Sequence, residues 1–205
     1  MPTVSSSRAL ATAIWPRSVN RAVQAVALVL VGTAILAISA KVKVPFWPVP
    51  MTLQTLAVLL IGAAYGSRLA VATVVAYIAE GVLGLPVFTN TPPEVAGPLY
   101  MLGPTAGFLM SWILVAAIVG FATDRGWDRS PLRLGAAMLL AVVVQFACGF
   151  AWLSWFAHLA NGAAGIGAAK AFAFGVAPFL LGDALKVVLA ALLIPASWTL
   201  IGRRS

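Results

Sequence analysis

Asp183 and Lys186 stand three residues apart in Phe179-Leu180-Leu181-Gly182-Asp183-Ala184-Leu185-Lys186, inside a tract that is otherwise apolar as far as Ile194. A spacing of three places both side chains on one face of a helix. A carboxylate accepts from N–H groups, and an ammonium donates to a carbonyl or carboxylate. The pair therefore suits a small ligand that carries both kinds of polar group, although a self-neutralising ion pair that only fixes helix packing would look the same. Ionisable groups within a membrane span are costly and mark pathways and sites, which makes these two the leading candidates. Gly182 beside them removes a side chain and lets a ligand or a second backbone approach. Other polar residues in apolar surroundings read differently. Glu80 either snorkels to the membrane interface or serves as a proton site. Gln24 is read as facing water, Gln145 as a hydrogen bonder between helices, His158 as a solvated loop residue and Cys148 as a small core residue.

Two connections next to these tracts look organised. Pro45, Pro48 and Pro50 surround Phe46 and Trp47 and lead into Met51-Thr52-Leu53-Gln54-Thr55, a stiff, non-helical entry that would hold Thr52 and Gln54 over a cavity. The second runs from Gly84-Leu85-Pro86-Val87-Phe88 to Gly103-Pro104-Thr105-Ala106-Gly107, with Tyr100 inside it, and has the length of a lid or binding loop. Trp15, Trp47, Trp127 and Trp198 fall where an aromatic belt would lie, and Trp152 and Trp155 suit either a belt or a pocket wall. The chain carries no GxxxxGK[ST], no HExxH and no CxxC. It therefore does not hydrolyse ATP itself, enzymatic hydrolysis is unsupported, and no metal site is expected.

The elements that must position these residues follow from composition. Among 205 residues, 62% are hydrophobic and only 9% charged, against about 25% in a soluble domain. With mean hydropathy at +1.02 there are too few polar side chains to cover a water-exposed surface. A span needs about 20 apolar residues. Six are predicted: Ala22–Ala40, Thr52–Tyr65, Leu69–Leu83, Thr105–Ala122, Leu134–Phe156 and Ala171–Ile194, with Gly66-Ser67-Arg68 as the turn between the second and third. Five, with Met51–Leu85 partly re-entrant, is the alternative. The net charge of +8 fits anionic lipid better than nucleic acid. Six spans put Arg8, Arg17, Arg21, Arg68, Arg125, Arg129, Arg133, Arg203 and Arg204 on one side, and Lys41, Lys43 and Lys170 on the other. That bias predicts both termini in the cytoplasm. Residues 1–21 form a cytoplasmic tail containing Ser5-Ser6-Ser7 and Pro16, 22–202 the six-helix domain, and 203–205 a cytoplasmic end. Cleavage of the first span as a secretory signal is disfavoured by its length.

Four stretches together resemble one family. They are Val44 through Thr55, Tyr77 through Phe88, Gly103 through Leu109, and Phe179 through Lys186. In this order and spacing they are similar to the biotin-specific substrate-binding (S) components of energy-coupling-factor (ECF) vitamin transporters, the BioY family. The resemblance implies an all-α membrane protein with the six-helix S-component fold, multi-pass in the bacterial cytoplasmic (inner) membrane. It implies high-affinity biotin capture and uptake, with biotin as transported ligand rather than cofactor. Gly182, Asp183 and Lys186 match the family's Gly-Asp-x-x-Lys and are implied to contact biotin, with Thr52 and Gln54 closing over it and Tyr77 and Asn90 contributing. The chain departs at Ala106-Gly107-Phe108, where the family usually shows Gly-Gly-Tyr, and at Thr89–Val95, which is not the usual Gly-rich run. The implied partners are a transmembrane coupling protein and two cytoplasmic ATPases. Gly32, Thr33, Ala34 and Ala37 are the small residues on the first span that would meet the coupling protein. A self-sufficient secondary transporter, protonated at Asp183 or Glu80, is the alternative; a membrane enzyme is disfavoured because no second catalytic group accompanies the pair.

Overall fold

A backbone in hydrocarbon has no water to bond and must satisfy its own N–H and C=O groups, so successive apolar tracts fold as helices. The computed structural model describes residues 10–13, 20–94, 96–158 and 164–202. Predicted features at Arg8, Trp15, Pro16, Arg17, Arg203 and Arg204 lie outside the described residues. Six principal helices carry the fold: α2 (Arg21–Lys41), α3 (Gln54–Tyr65), α4 (Ser67–Val82), α5 (Ala106–Asp124), α6 (Pro131–Trp155) and α8 (Leu180–Gly202). Two short α-helices, α1 (Leu10–Ala13) and α7 (Ala168–Gly175), stand beside them among the described residues. Among the described residues the fold is all-α apart from one antiparallel pair of two-residue strands, β1 (Lys43–Val44) and β2 (Met51–Thr52), in the register Lys43 opposite Thr52. Among the described residues, four segments are long and apolar enough to cross a membrane: α2, α5, α6 and the stretch Ala168–Leu200, which runs through α7 and most of α8. With 12 and 16 residues, α3 and α4 are shorter.

Local chemistry sets the boundaries. Asn20 Oδ1 caps α2 by accepting from the Ala22 N–H at 2.8 Å. Gly66, at φ 76°, turns the chain between α3 and α4 in a left-handed conformation that other residues avoid. The fifth tract begins at Pro131, three residues before its predicted start, because Ser130 caps the helix and proline fits its first position. Pro178 sits in the short 3₁₀ turn Ala177–Phe179 that separates α7 from α8, so the sixth tract is two helices rather than one. The first residue of the second predicted span, Thr52, belongs to the strand β2 instead, and the helix begins at Gln54.

The core centres on α3 and α5, with Val58, Leu59, Val74, Tyr77, Val115, Val119, Leu134 and Met138 fully buried. The most hydropathic window of α5 is 67% buried, whereas that of α2 is 28% buried. α2 turns Leu28, Gly32, Leu36 and Ala40 inward and leaves Val23, Val26, Leu30 and Ile38 exposed, as a helix facing lipid must. Gln24 is one turn before Leu28 on the inward stripe. It is half-buried rather than facing water, and its amide nitrogen has no partner among the described residues. Cys148 is likewise only half-buried.

One end of the bundle is tied by polar contacts. The Ser67 N–H donates to Asp124 Oδ2 at 3.2 Å, and the Ser67 hydroxyl donates to the same oxygen. Thr123 Oγ1 donates to the Ala63 carbonyl at 3.2 Å. Trp198 Nε1 donates to Asp128 Oδ2 at 2.6 Å, beneath the Arg129 guanidinium. The α3–α4 turn, the α5–α6 turn and the last turns of α8 therefore share an end with Arg68, Arg125, Arg129 and Arg133. Chain direction brings Arg21, at the start of α2, to the same end. Lys41, Lys43 and Lys170 fall at the other, together with the strands and the 83–105 connection.

Candidate functional site

At the lysine end a cavity of about 520 Å³, counting its open mouth, lies among the strand pair, the 83–105 connection and helices α3, α5, α6 and α8. Most of the wall is apolar or aromatic, including Val49, Pro50, Phe108, Leu109, Trp112, Phe146 and Phe179, and the polar groups are concentrated on α3, α6 and α8.

The polar cluster begins on α8, where one turn of helix puts Asp183 and Lys186 together. Lys186 Nζ donates to Asp183 Oδ1 at 2.7 Å, and to the Thr52 carbonyl at 2.8 Å. Both residues are buried, at 1% and 7% exposure, so this is a desolvated pair and not a surface bridge. Gln145 on α6 donates from Nε2 to Asp183 Oδ2 at 3.3 Å and to Thr55 Oγ1 at 3.5 Å. Its Oε1 accepts from Trp112 Nε1 at 3.0 Å, which fixes the amide's orientation. A second chain starts at the strand. Thr52 Oγ1 accepts from the Gln54 N–H at 3.2 Å and lies 3.3 Å from Gln54 Oε1. Gln54 Nε2 donates to Tyr77 Oη at 2.7 Å, and Tyr77 donates onward to the Val87 carbonyl at 2.9 Å. The arrangement offers a carboxylate, an ammonium and two amides to a polar ligand, with aromatic rings beside them for its apolar part.

Small residues let these walls meet. A Cβ on Gly182 would stand 3.0 Å from Met51 Sδ, so glycine leaves room for the Met51 side chain against α8. A Cβ on Gly107 would run into the Trp152 side chain, and one on Gly149 into the Phe108 ring. The residues singled out at Ala106-Gly107-Phe108 thus set how closely α5 and α6 pack, and Phe108 forms part of the cavity wall.

The structure places Asp183, Lys186, Thr52 and Gln54 on the cavity. Tyr77 sits behind it, fully buried, touching the site through Gln54. Asn90 does not line it: at φ 62° its side chain turns away, accepting from Lys43 Nζ and donating to Glu94 Oε1 at 3.1 Å, while the preceding residue, Thr89, lines the wall. Of the small residues on α2, Gly32 and Thr33 are buried within the bundle, Ala37 is half-buried and Ala34 is exposed. Gln145, Thr55, Trp112 and Tyr100 join the site without having been singled out for it. Gln145 does bond between helices, and it also faces the cavity. Burial pushes the Tyr100 phenol up to about 12, which keeps it a donor, and it bonds the Thr89 carbonyl at 2.9 Å.

Among known proteins, residues 8–203 match the model of the BioY family. The biotin transporter BioY of Rhodobacter capsulatus is 39% identical over 152 residues, which cover 70% of this chain and 76% of that protein. The Thermotoga maritima protein of the same name is 30% identical over 161 residues, covering 78% and 88%, and that of Rhizobium etli is 33% identical over 159 residues, covering 74% and 79%. In fold, the chain matches the crystal structure of an S component for biotin from an ECF-type ABC transporter with a TM-score of 0.73. That alignment has 23% identity and covers 88% of this chain and 94% of the other.

Proposed function

The chain belongs to the BioY family, and from that premise we propose that it captures biotin as the substrate-binding component of an ECF-type transporter. The observation that carries the reading is the buried Asp183–Lys186 pair, held by Gln145 and the Thr52 carbonyl on a cavity walled by aromatic side chains. Biotin has a ureido group with N–H donors and a carbonyl, an apolar sulfur-containing ring and an anionic tail. Asp183 accepts from a ureido N–H or Lys186 meets an oxygen of the ligand, while Trp112, Phe108 and Phe179 cover the apolar ring.

Six membrane spans with both ends in the cytoplasm follow from the same reading. The arginine-rich end then faces inward and the cavity opens to the outside of a bacterial cytoplasmic membrane. The chain carries no nucleotide-binding motif, so moving a vitamin against its gradient calls for a coupling protein and two ATPases supplied separately. Ala34, exposed on α2 among lipid-facing apolar residues, is the small residue best placed to let a coupling helix approach closely.

Equilibrium titration of biotin into the purified chain alone tests the function. Saturable binding is expected in the absence of any ATPase subunit. No saturable binding at micromolar biotin, by a monodisperse and folded protein, would overturn the reading.

A further inference from the structure

A connection without regular structure leaves its carbonyls to find partners one by one, and buried ones must find them. Across residues 86–91 each carbonyl has one. Val87 is taken by Tyr77 Oη, Thr89 by Tyr100 Oη and Asn90 by the Glu94 N–H. The other three converge on one side chain: Lys41 Nζ donates to the Pro86 carbonyl at 2.8 Å, to Phe88 at 2.7 Å, and to Thr91. An ammonium carries three N–H donors and no acceptor, so three carbonyls use it fully.

Lys41 is the last residue of α2, and Lys43 two residues on bonds Asn90 of the same loop. Lys43 is also the strand partner of Thr52, whose carbonyl is held by Lys186. The loop so gripped carries Thr89 on the cavity wall and Phe88 behind it. The Phe88 ring is fully buried, stacked on Tyr100 with centroids 4.7 Å apart, and it packs where Gly81 has no side chain.

We infer that Lys41 is a positioning residue for the binding site: its carbonyl clasp holds the 86–91 wall against the cavity and thereby slows the escape of bound ligand. The inference rests on the biotin reading for its ligand, but the clasp itself can be tested without one. In Lys41→Met the methylene stem is kept and the donors are lost. Biotin should dissociate at least about tenfold faster while its association rate stays within a few-fold of wild type. Lys41→Arg should not restore the slow rate, because a planar fork does not match three convergent carbonyls. Lys41→Cys in a Cys148→Ala background, alkylated with bromoethylamine, rebuilds an ammonium of nearly the same reach and should restore it. A generally weakened fold would not respond to that rescue.

In ligand-free protein, amide exchange across 87–91 should quicken in Lys41→Met relative to α5. Dissociation within twofold of wild type, or unchanged exchange of the loop, overturns the inference. Should the methionine variant fail to fold, Lys41→Gln, which keeps two donors, is expected at an intermediate rate, and a wild-type rate there overturns the inference equally. Wild-type protein that binds no biotin at all would instead sink the functional reading, with loop exchange still deciding the clasp.

Discussion

Lys186 commits two donors, to Asp183 and to the Thr52 carbonyl, and both oxygens of Asp183 accept, one from Lys186 and one from Gln145. Such a cluster tolerates loss of a member poorly. Lys186→Met leaves a buried carboxylate without its counter-charge, at a cost of about 3–5 kcal/mol. Biotin binding by calorimetry should weaken by at least a hundredfold, and Asp183→Asn, which keeps the shape, should weaken it less while melting closer to wild type. Gln145→Leu strands the Trp112 N–H and one Asp183 oxygen, for about 1–3 kcal/mol, read as a lower melting temperature. Asp183 and Lys186 were legible in the sequence because charge in an apolar tract is conspicuous. Trp112 was not, since α5 is apolar all round and its pattern does not show which side meets a cavity. The loop posed another difficulty. It has no periodicity, and a left-handed residue decides that Thr89, not Asn90, lines the wall.

Helix boundaries depend on contacts that a linear pattern shows only in part. Gly66 was readable punctuation, whereas the Ser130 cap extends α6 three residues ahead of its predicted start. The division of the sixth tract by Pro178, and the strand pair that takes Thr52 out of α3, depend on how neighbouring elements pack. Gly120 on α5 makes the point energetically. A Cβ there would run into the backbone of Gly66 and Ser67, which cannot swing aside as a side chain would. Gly120→Ala should therefore lower the melting temperature, an overpacking cost of about 1–3 kcal/mol. On α2 the faces separate two outcomes. Ala34→Trp, on the exposed side, should leave biotin binding intact but weaken copurification with the coupling protein. Gly32→Trp should unfold the packing of α2 on Thr73 and Tyr65. Equal effects from the two would remove α2 as the partner-facing surface.

For the molecule as a whole, the tied end and the open end have different chemistry. Burial raises the Asp128 carboxyl above the usual carboxylate range, against the Trp198 hydrogen bond and Arg129, which lower it. A raised value in the fold means that protonation is favoured there, so the contribution of this group to stability is greatest in acid and declines as pH rises through that value. Asp128→Asn keeps an acceptor for Trp198 and should melt at or above wild type at neutral pH, with the difference vanishing in acid. Topology is checked by thiol labelling in a Cys148→Ala background. Arg129→Cys should react from the cytoplasmic side and Leu99→Cys, on the exposed 83–105 connection, from outside. Labelling of both from one side would rule out six spans. The shortness of α3 has an electrical consequence. Its 12 residues rise ~18 Å, against a hydrocarbon layer of ~30 Å, and the cavity is lined by Gln54 and Thr55 at its first turn. In the proposed orientation the cavity mouth faces outside and holds a bound anion close to the external potential, so the transmembrane voltage falls mainly across the thinner septum beneath it. Capture of biotin by proteoliposomes should then be indifferent to a potassium diffusion potential. The inward step should carry nearly the whole electrical cost, about 2.3 kcal/mol per charge for each 100 mV, inside negative.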